Sequence, residues 1–128
     1  MIYVDTSVVL AHLLAEDRSP DEKLWSEPLI ASRLLHYEAW TRIHARGLGP
    51  SHGDALRATF LRIAVVEMQP LVLQRALEPF PTPVRTLDAI HLASIEFLRT
   101  HGQPVTLASY DNRMTAAARA LKIPLFDL

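Results

Sequence analysis

At 128 residues the chain is long enough to bury one proper core and too short for two, and 49% hydrophobic with 21% charged residues is the balance of a folded globular domain. It has no cysteine, which excludes disulfide scaffolds, cysteine-ligated zinc, iron–sulfur clusters and thiol catalysis, and makes a reducing compartment the default. A net charge of −1, from 13 Lys+Arg against 14 Asp+Glu, argues against a module that only coats nucleic acid, yet it leaves room for an acidic pocket loaded with divalent cations.

The opening residues carry no basic region, and Asp5 interrupts the apolar run before it could serve as a signal peptide. No uncharged stretch approaches the ~20 residues of a membrane span. A soluble, cytoplasmic protein with no membrane partner is expected. In chain order, Ile2, Tyr3 and Val4 read as a short buried strand and residues 8–14 as a helix. Residues 16–21 are a polar connection, and a short helix follows at 21–25. Leu29, Ile30 and Ala31 form a brief apolar run before Ser32, a candidate N-cap for a helix over 34–46 that ends at Gly47. Leu34, Leu35, Ala39 and Ile43 supply much of that helix's buried stripe.

Residues 47–53 read as a loop, with Ser51 or Asp54 opening a helix to about residue 63. A strand over 64–68 precedes a helix that starts at Pro70 and carries Val72, Leu73 and Leu77. Pro79, Pro81 and Pro83 mark a rigid surface loop. A helix over 86–98 is predicted to present Leu87, Ile90, Ala93 and Phe97 on one face. A strand at 105–108, an Ala-rich helix at 111–121 and a last strand at 123–126 complete the chain. Strands alternating with helices predict an α/β layer fold, with a mainly parallel central sheet flanked by helices, in a single domain over 1–128.

Four acidic residues stand where propensity explains them only in part. Asp5 follows the first strand, where open α/β sheets expose side chains, though it also suits a helix cap. Asp111 follows the strand at 105–108, so the two can face each other across neighbouring strand ends. Asp88 lies in the first turn of its helix, where the macrodipole also favours it. Glu38 lies mid-helix between Tyr37 and Trp40, with Arg42 at i+4 as an alternative surface partner. Converging, the four would carry a formal charge of about −4, which repulsion makes unstable without cations. An all-oxygen site of this kind suits Mg²⁺ or Mn²⁺ and metal-dependent phosphodiester hydrolysis.

The stretches Ile2-Tyr-Val-Asp-Thr-Ser-Val-Val-Leu10, Ser32-Arg-Leu-Leu-His-Tyr-Glu-Ala39, Thr86-Leu-Asp-Ala-Ile-His-Leu-Ala93 and Val105-Thr-Leu-Ala-Ser-Tyr-Asp-Asn-Arg-Met114 together resemble a PIN-domain nuclease, most closely a VapC-type toxin of a toxin–antitoxin pair. The four occur in order across essentially the whole chain. The resemblance implies a three-layer PIN-like fold and endoribonuclease action on RNA with Mg²⁺ or Mn²⁺. It implies a homodimer and an antitoxin partner that blocks the site. It assigns Asp5, Glu38, Asp88 and Asp111 to the metal-binding acidic site, and Thr6 or Ser7 to a hydroxyl that helps hold a metal or its water. Ser109 stands where the family commonly has Thr, so a hydroxyl is retained.

Arg33, Arg42, Arg46, Arg85 and Arg113 flank the acidic motifs and are candidates to grip RNA phosphates, in competition with pairing to carboxylates. Tyr110 and Trp40 are candidates for base stacking, with packing the stronger expectation for Trp40. His91, at i+3 from Asp88, can reach the same ion, although local packing or bonding is the commoner role of such a histidine. His36-Tyr-Glu38 lacks the paired cysteines of zinc deaminases, and no P-loop or G-x-S-x-G occurs. A catalytically silent PIN-like interaction module and a single-stranded nucleic-acid-binding domain are the competing classes; the first is disfavoured because no acidic residue is missing, the second by the near-neutral charge.

Overall fold

The computed structural model describes residues 1–128. The elements run β1 (Ile2–Val4), α1 (Thr6–Leu13), α2 (Glu22–Trp25), β2 (Leu29–Ser32), α3 (Leu34–Ala45), α4 (Gly49–Phe60), β3 (Ile63–Val66), α5 (Pro70–Ala76), α6 (Thr86–Thr100), β4 (Thr106–Ala108) and α7 (Asn112–Ala120). The four strands make one sheet in the order β3-β2-β1-β4, and every pairing is parallel. β1 is therefore central, and the chain leaves it toward β2 on one side while β4 closes the other. That change of direction leaves a crevice at the carboxyl ends of β1 and β4, the place where open parallel sheets bind ligands.

Alternation along the strands divides the interior into two layers. Ile2, Val4, Leu29, Ala31 and Ile63 face a cluster containing Val8, Val9, Leu35, Ala39, Ile43 and Leu56 of α1, α3 and α4. Tyr3, Ile30, Val66 and Leu107 face the opposite cluster, with Leu92, Ile95 and Leu98 of α6 and Met114, Ala117 and Ala118 of α7. A sheet buried on both faces between helices is the three-layer α/β architecture. No helix is long and apolar enough to cross a membrane.

Several expectations need correction. No strand forms at 123–126; only Leu125 bridges Leu107, because Pro124 has no N–H to extend the ladder. α4 starts at Gly49 with Pro50 in its first turn, two residues before Ser51, since proline's fixed φ suits that position. In α5 only Val72 is buried, while Leu73 and Leu77 are exposed. Of the stripe expected on α6, only Ala93 is buried. The helix instead turns Asp88, His91, Leu92, Ile95 and Leu98 inward, because Tyr3 on β1 and Glu38 on α3 supply partners for His91, and Arg85 supplies one for Asp88.

The stripe expected on α3 is buried as read, and Gly47 ends the helix. With φ of 66°, it lets the Gly47 N–H donate to the His44 carbonyl and the Leu48 N–H to the Ile43 carbonyl, a Schellman closure. Lys122 does the same after α7 at φ 60°, where a side chain is strained. A Cβ at Gly47 would meet no atom within 4 Å, so its cost is backbone strain alone. Urea denaturation is expected to show Gly47→Ala destabilising by about 1 kcal/mol and Lys122→Gly stabilising by up to a similar amount.

Candidate active site

Asp5 is the N-cap residue of α1 by position, yet its carboxylate makes no cap hydrogen bond. Its Oδ2 accepts from Ser7 Oγ at 2.8 Å and from Ser109 Oγ at 2.8 Å. The helix-cap alternative for Asp5 is thus set aside. Ser109 Oγ also accepts from the Asp111 N–H at 3.0 Å, and Ser7 Oγ from the Tyr110 N–H at 3.0 Å. These bonds tie the end of β1 to the end of β4 and set Asp5 across from the turn carrying Asp111. Asp111 does cap its helix: Oδ1 accepts from the Arg113 and Met114 N–H groups at the start of α7.

Glu38 reaches the same place from α3. Its Oε1 accepts from Thr6 Oγ1 at 2.8 Å and pairs with His91 Nε2 at 2.5 Å. The pairing with Arg42 does not form; α3 turns Glu38 toward α6, and Arg42 forms no ion pair. His91 is fully buried, and its Nδ1 lies 2.6 Å from the Tyr3 hydroxyl, which accepts the Ser32 N–H at 3.1 Å. Both ring nitrogens are used, so the possibility that His91 shares an ion with Asp88 is corrected to a role holding Glu38. Thr6, Ser7 and Ser109 each donate to a carboxylate of the site, Thr6 to Glu38 and the two serines to Asp5. Tyr3 is the contributor that local sequence reasoning missed, and His91, weighed there as an ion ligand or a locally bonded group, takes the second role. The available signal was a tyrosine inside a buried strand and a histidine on an otherwise inward-facing stretch of helix.

Asp88 projects from the first turn of α6, and Arg85 binds it through Nε at 2.9 Å. The same guanidinium binds Asp111 Oδ2 through Nη2. Asp5, Thr6, Ser7, Glu38, Asp88 and Asp111 thereby line one cleft of about 460 Å³, whose rim carries Arg18, Arg42, Arg46, Arg85 and Tyr110. Arg18, absent from the sequence candidates, lies 5.1 Å from the Tyr110 ring centre. Arg33 is outside the cleft, bound to Glu67 beyond β3, and Arg113 is exposed without lining the cleft. Trp40 packs beside Gly53, His44 and Arg57, the packing role expected for it. A larger apolar groove of about 800 Å³ lies on the other side of Arg85, but its only carboxylate is Glu78.

Burial pushes the Asp88 carboxyl up, and although the Arg85 bond and charge oppose this, the charges of Asp111 and Asp5 add to it and the net direction is upward. Burial also disfavours ionised Glu38, but bonding and charge from His91, with the Thr6 bond, outweigh it and bring Glu38 below its ordinary value. His91 shows the converse: burial lowers it, whereas the Glu38 bond and the charges of Asp5, Glu38 and Asp88 raise it.

Asp5 Oδ1, Glu38 Oε2 and Asp88 Oδ1 accept no hydrogen bond, and none is sealed from solvent. Three carboxylates thus present one free oxygen each, a hard donor set suited to Mg²⁺ or Mn²⁺. No three acidic or histidine side chains are spaced to ligate one ion directly. Mg²⁺ asks for less, because it retains several waters and commonly takes only one or two carboxylates.

The chain matches the PIN domain family over residues 2–120. It belongs to that family. It is 30% identical to Ribonuclease VapC35 of Mycobacterium tuberculosis, over 96% of this chain and 93% of the relative, in both the CDC 1551 and the H37Rv strains. Among solved structures, VapC20 of M. tuberculosis, described as a sarcin-ricin loop cleaving toxin, superposes with a TM-score of 0.69 at 23% identity, covering 91% of this chain and 95% of that one. A toxin–antitoxin complex from Klebsiella pneumoniae gives 0.68 at 15% identity, covering 94% of each chain. These two likenesses establish the shared PIN fold.

Two outcomes follow for this site in metal-free protein. His91→Phe leaves the Tyr3 hydroxyl and Glu38 without their shared partner and is expected to lower unfolding free energy by about 1–3 kcal/mol, measured by urea titration. The raised Asp88 pKa means that this group's contribution is most favourable below its unfolded value and is lost as pH rises through its folded value. Asp88→Asn should therefore raise the melting temperature in EDTA at pH 8, with the gain disappearing below about pH 4.

Proposed function

We propose that the chain is a metal-dependent endoribonuclease that hydrolyses RNA phosphodiester bonds and acts as the toxin of a toxin–antitoxin pair. The observation that carries this reading is the cleft itself: Asp5, Glu38 and Asp88, each with a free oxygen, gathered with Asp111 beside the ends of β1 and β4, with a rim of arginines of which Arg18, Arg42 and Arg46 form no ion pair. The kinship with Ribonuclease VapC35 and the fold shared with a toxin–antitoxin complex support it.

Asp5, Glu38 and Asp88 are assigned to hold Mg²⁺ or Mn²⁺, no more than two of them directly and the rest through its waters, with Asp111 as the fourth acidic member. Such an ion supplies a bound water of lowered pKa and positive charge at the leaving oxygen. Ser7 and Ser109 fix the Asp5 carboxylate, while Thr6 and His91 fix Glu38, so these groups are oriented before substrate arrives. Arg18, Arg42 and Arg46 take RNA phosphates at the rim, and Tyr110 offers a stacking face to a base. A homodimer of single PIN units in the cytoplasm, held silent by a cognate antitoxin, completes the proposal.

The test is cleavage of a mixed cellular RNA pool by purified protein with Mg²⁺ or Mn²⁺, beside EDTA and Asp5→Asn. Discrete fragments are expected with metal, and the variant should be slower by about two orders of magnitude or more, the scale of several kcal/mol of transition-state stabilisation. Cleavage that persists in EDTA or in Asp5→Asn would refute the assignment. Silence from folded, antitoxin-free protein that also binds no metal would favour a non-catalytic PIN-like module.

A further inference from the structure

Arg85 occupies an unusual position for a residue at the edge of an acidic cleft. It stands at the N-cap of α6, and its guanidinium spans two carboxylates from different elements, Asp88 through Nε and Asp111 through Nη2. The two aspartates lie 23 residues apart in sequence, and this fork is the contact that links them. Arg85's side chain is 55% exposed, against 12% for Asp88, so the cation sits at the entrance with the anion behind it. Meanwhile Asp5 and Glu38 are held by uncharged hydroxyls and by His91, and no Arg or Lys is paired with either.

The acidic residues are thus neutralised unequally. One half of the site, Asp5 and Glu38, is oriented by hydrogen bonds with an oxygen left free on each; the other half, Asp88 and Asp111, is occupied by a tethered cation. All of Asp111 is committed, since Oδ1 caps α7 and Oδ2 binds Arg85. A divalent ion drawing on Asp88 and Asp111 must meet the Arg85 charge within the same few ångströms, and two cations at that spacing repel strongly where the surroundings are partly desolvated.

We propose that Arg85 is a built-in counter-cation that competes with the divalent metal for Asp88 and Asp111, and so sets the affinity of the acidic site for metal. The inference rests on the metal-dependent reading above. In the metal-free chain Arg85 relieves the repulsion among the aspartates. When metal binds, the fork opens, Asp111 Oδ2 becomes available, and the freed guanidinium remains at the cleft entrance. The flexible, exposed stem of Arg85 permits this exchange, whereas the hydroxyl contacts to Asp5 and Glu38 carry no charge and need not break.

The test is direct titration of purified full-length protein with Mn²⁺, free ion being read by electron paramagnetic resonance, for wild type, Arg85→Gln, Arg85→Lys, Asp5→Asn and Arg119→Gln. Arg119 lies at the far end of α7, about 12 Å along the helix from Asp111, and makes the same charge change without touching the site. Arg85→Gln is expected to bind Mn²⁺ about fivefold tighter or more, the low end of ordinary coupling between two binding events. Arg85→Lys should fall between it and wild type, because lysine keeps the charge but cannot bridge both carboxylates. Arg119→Gln should match wild type. In melting experiments Arg85→Gln should be the less stable protein in EDTA and should gain more from Mn²⁺ than wild type does.

Equal or weaker Mn²⁺ binding by Arg85→Gln overturns the proposal, and so does equal tightening by Arg119→Gln, which would reduce the effect to net charge. Should Arg85→Gln fail to fold, unchanged or weaker binding by Arg85→Lys decides against it in the same way. If wild type binds Mn²⁺, Asp5→Asn abolishes that binding and Arg85→Gln changes nothing, only this proposal fails. If neither wild type nor the Arg85 variants bind Mn²⁺, the metal-dependent reading fails with it.

Discussion

Repulsion among like charges gathered at one end of one sheet is the constraint on which the rest of this structure turns. Asp5, Glu38, Asp88 and Asp111 come from four different segments and line a single cleft. Nothing in water would favour that gathering, so each carboxylate is held by something specific. Two serine hydroxyls hold Asp5, a threonine and a buried histidine hold Glu38, and one guanidinium spans the remaining pair. The fold supplies the frame: parallel strands in the order β3-β2-β1-β4 place the ends of β1 and β4 side by side, and the crevice there is open to side chains from helices on both faces.

The same constraint explains why α6 buries polar residues. Asp88, His91 and Ser94 all face inward, where an ordinary core helix would carry aliphatic side chains. His91 has a full set of partners in Tyr3 and Glu38, and Ser94 bonds back to the Ile90 carbonyl, so neither is an unsatisfied group. Asp88 is different. Its ionised form is disfavoured by burial and by its acidic neighbours, and Arg85 offsets this only in part. A site that is strained as an isolated set of charges and relaxed by a cation is the usual compromise between stability and function.

The fold was largely legible because its signals are local. β-Branched and aromatic runs marked β1 and β4, the apolar stripe marked α3, and Gly47 closed it through a left-handed turn. Where the signal was ambiguous the reading failed. The stripe on α6 was placed on its apolar residues Leu87, Ile90, Ala93 and Phe97, of which only Ala93 is buried, when the buried face includes Asp88, bonded to Arg85 at the helix start, and His91, whose partners lie on other elements. The strand expected at 123–126 satisfied composition, but Pro124 cannot donate to a neighbour.

Sequence by itself determined which chemistry was available: three aspartates and three hydroxyls near predicted strand ends and helix starts, a mid-helix Glu38, no thiol, and arginines scattered around them. It could do so because residue type, local propensity and cap positions are properties of short segments. Only the tertiary structure decided which groups meet. Glu38 and His91 are 53 residues apart, Asp5 and Ser109 are 104 apart, and Tyr3 and His91 are 88 apart. Those pairs depend on strand order and on how α3 and α6 lie across opposite faces of the sheet. Both are outcomes of packing the whole core, which no single stretch encodes.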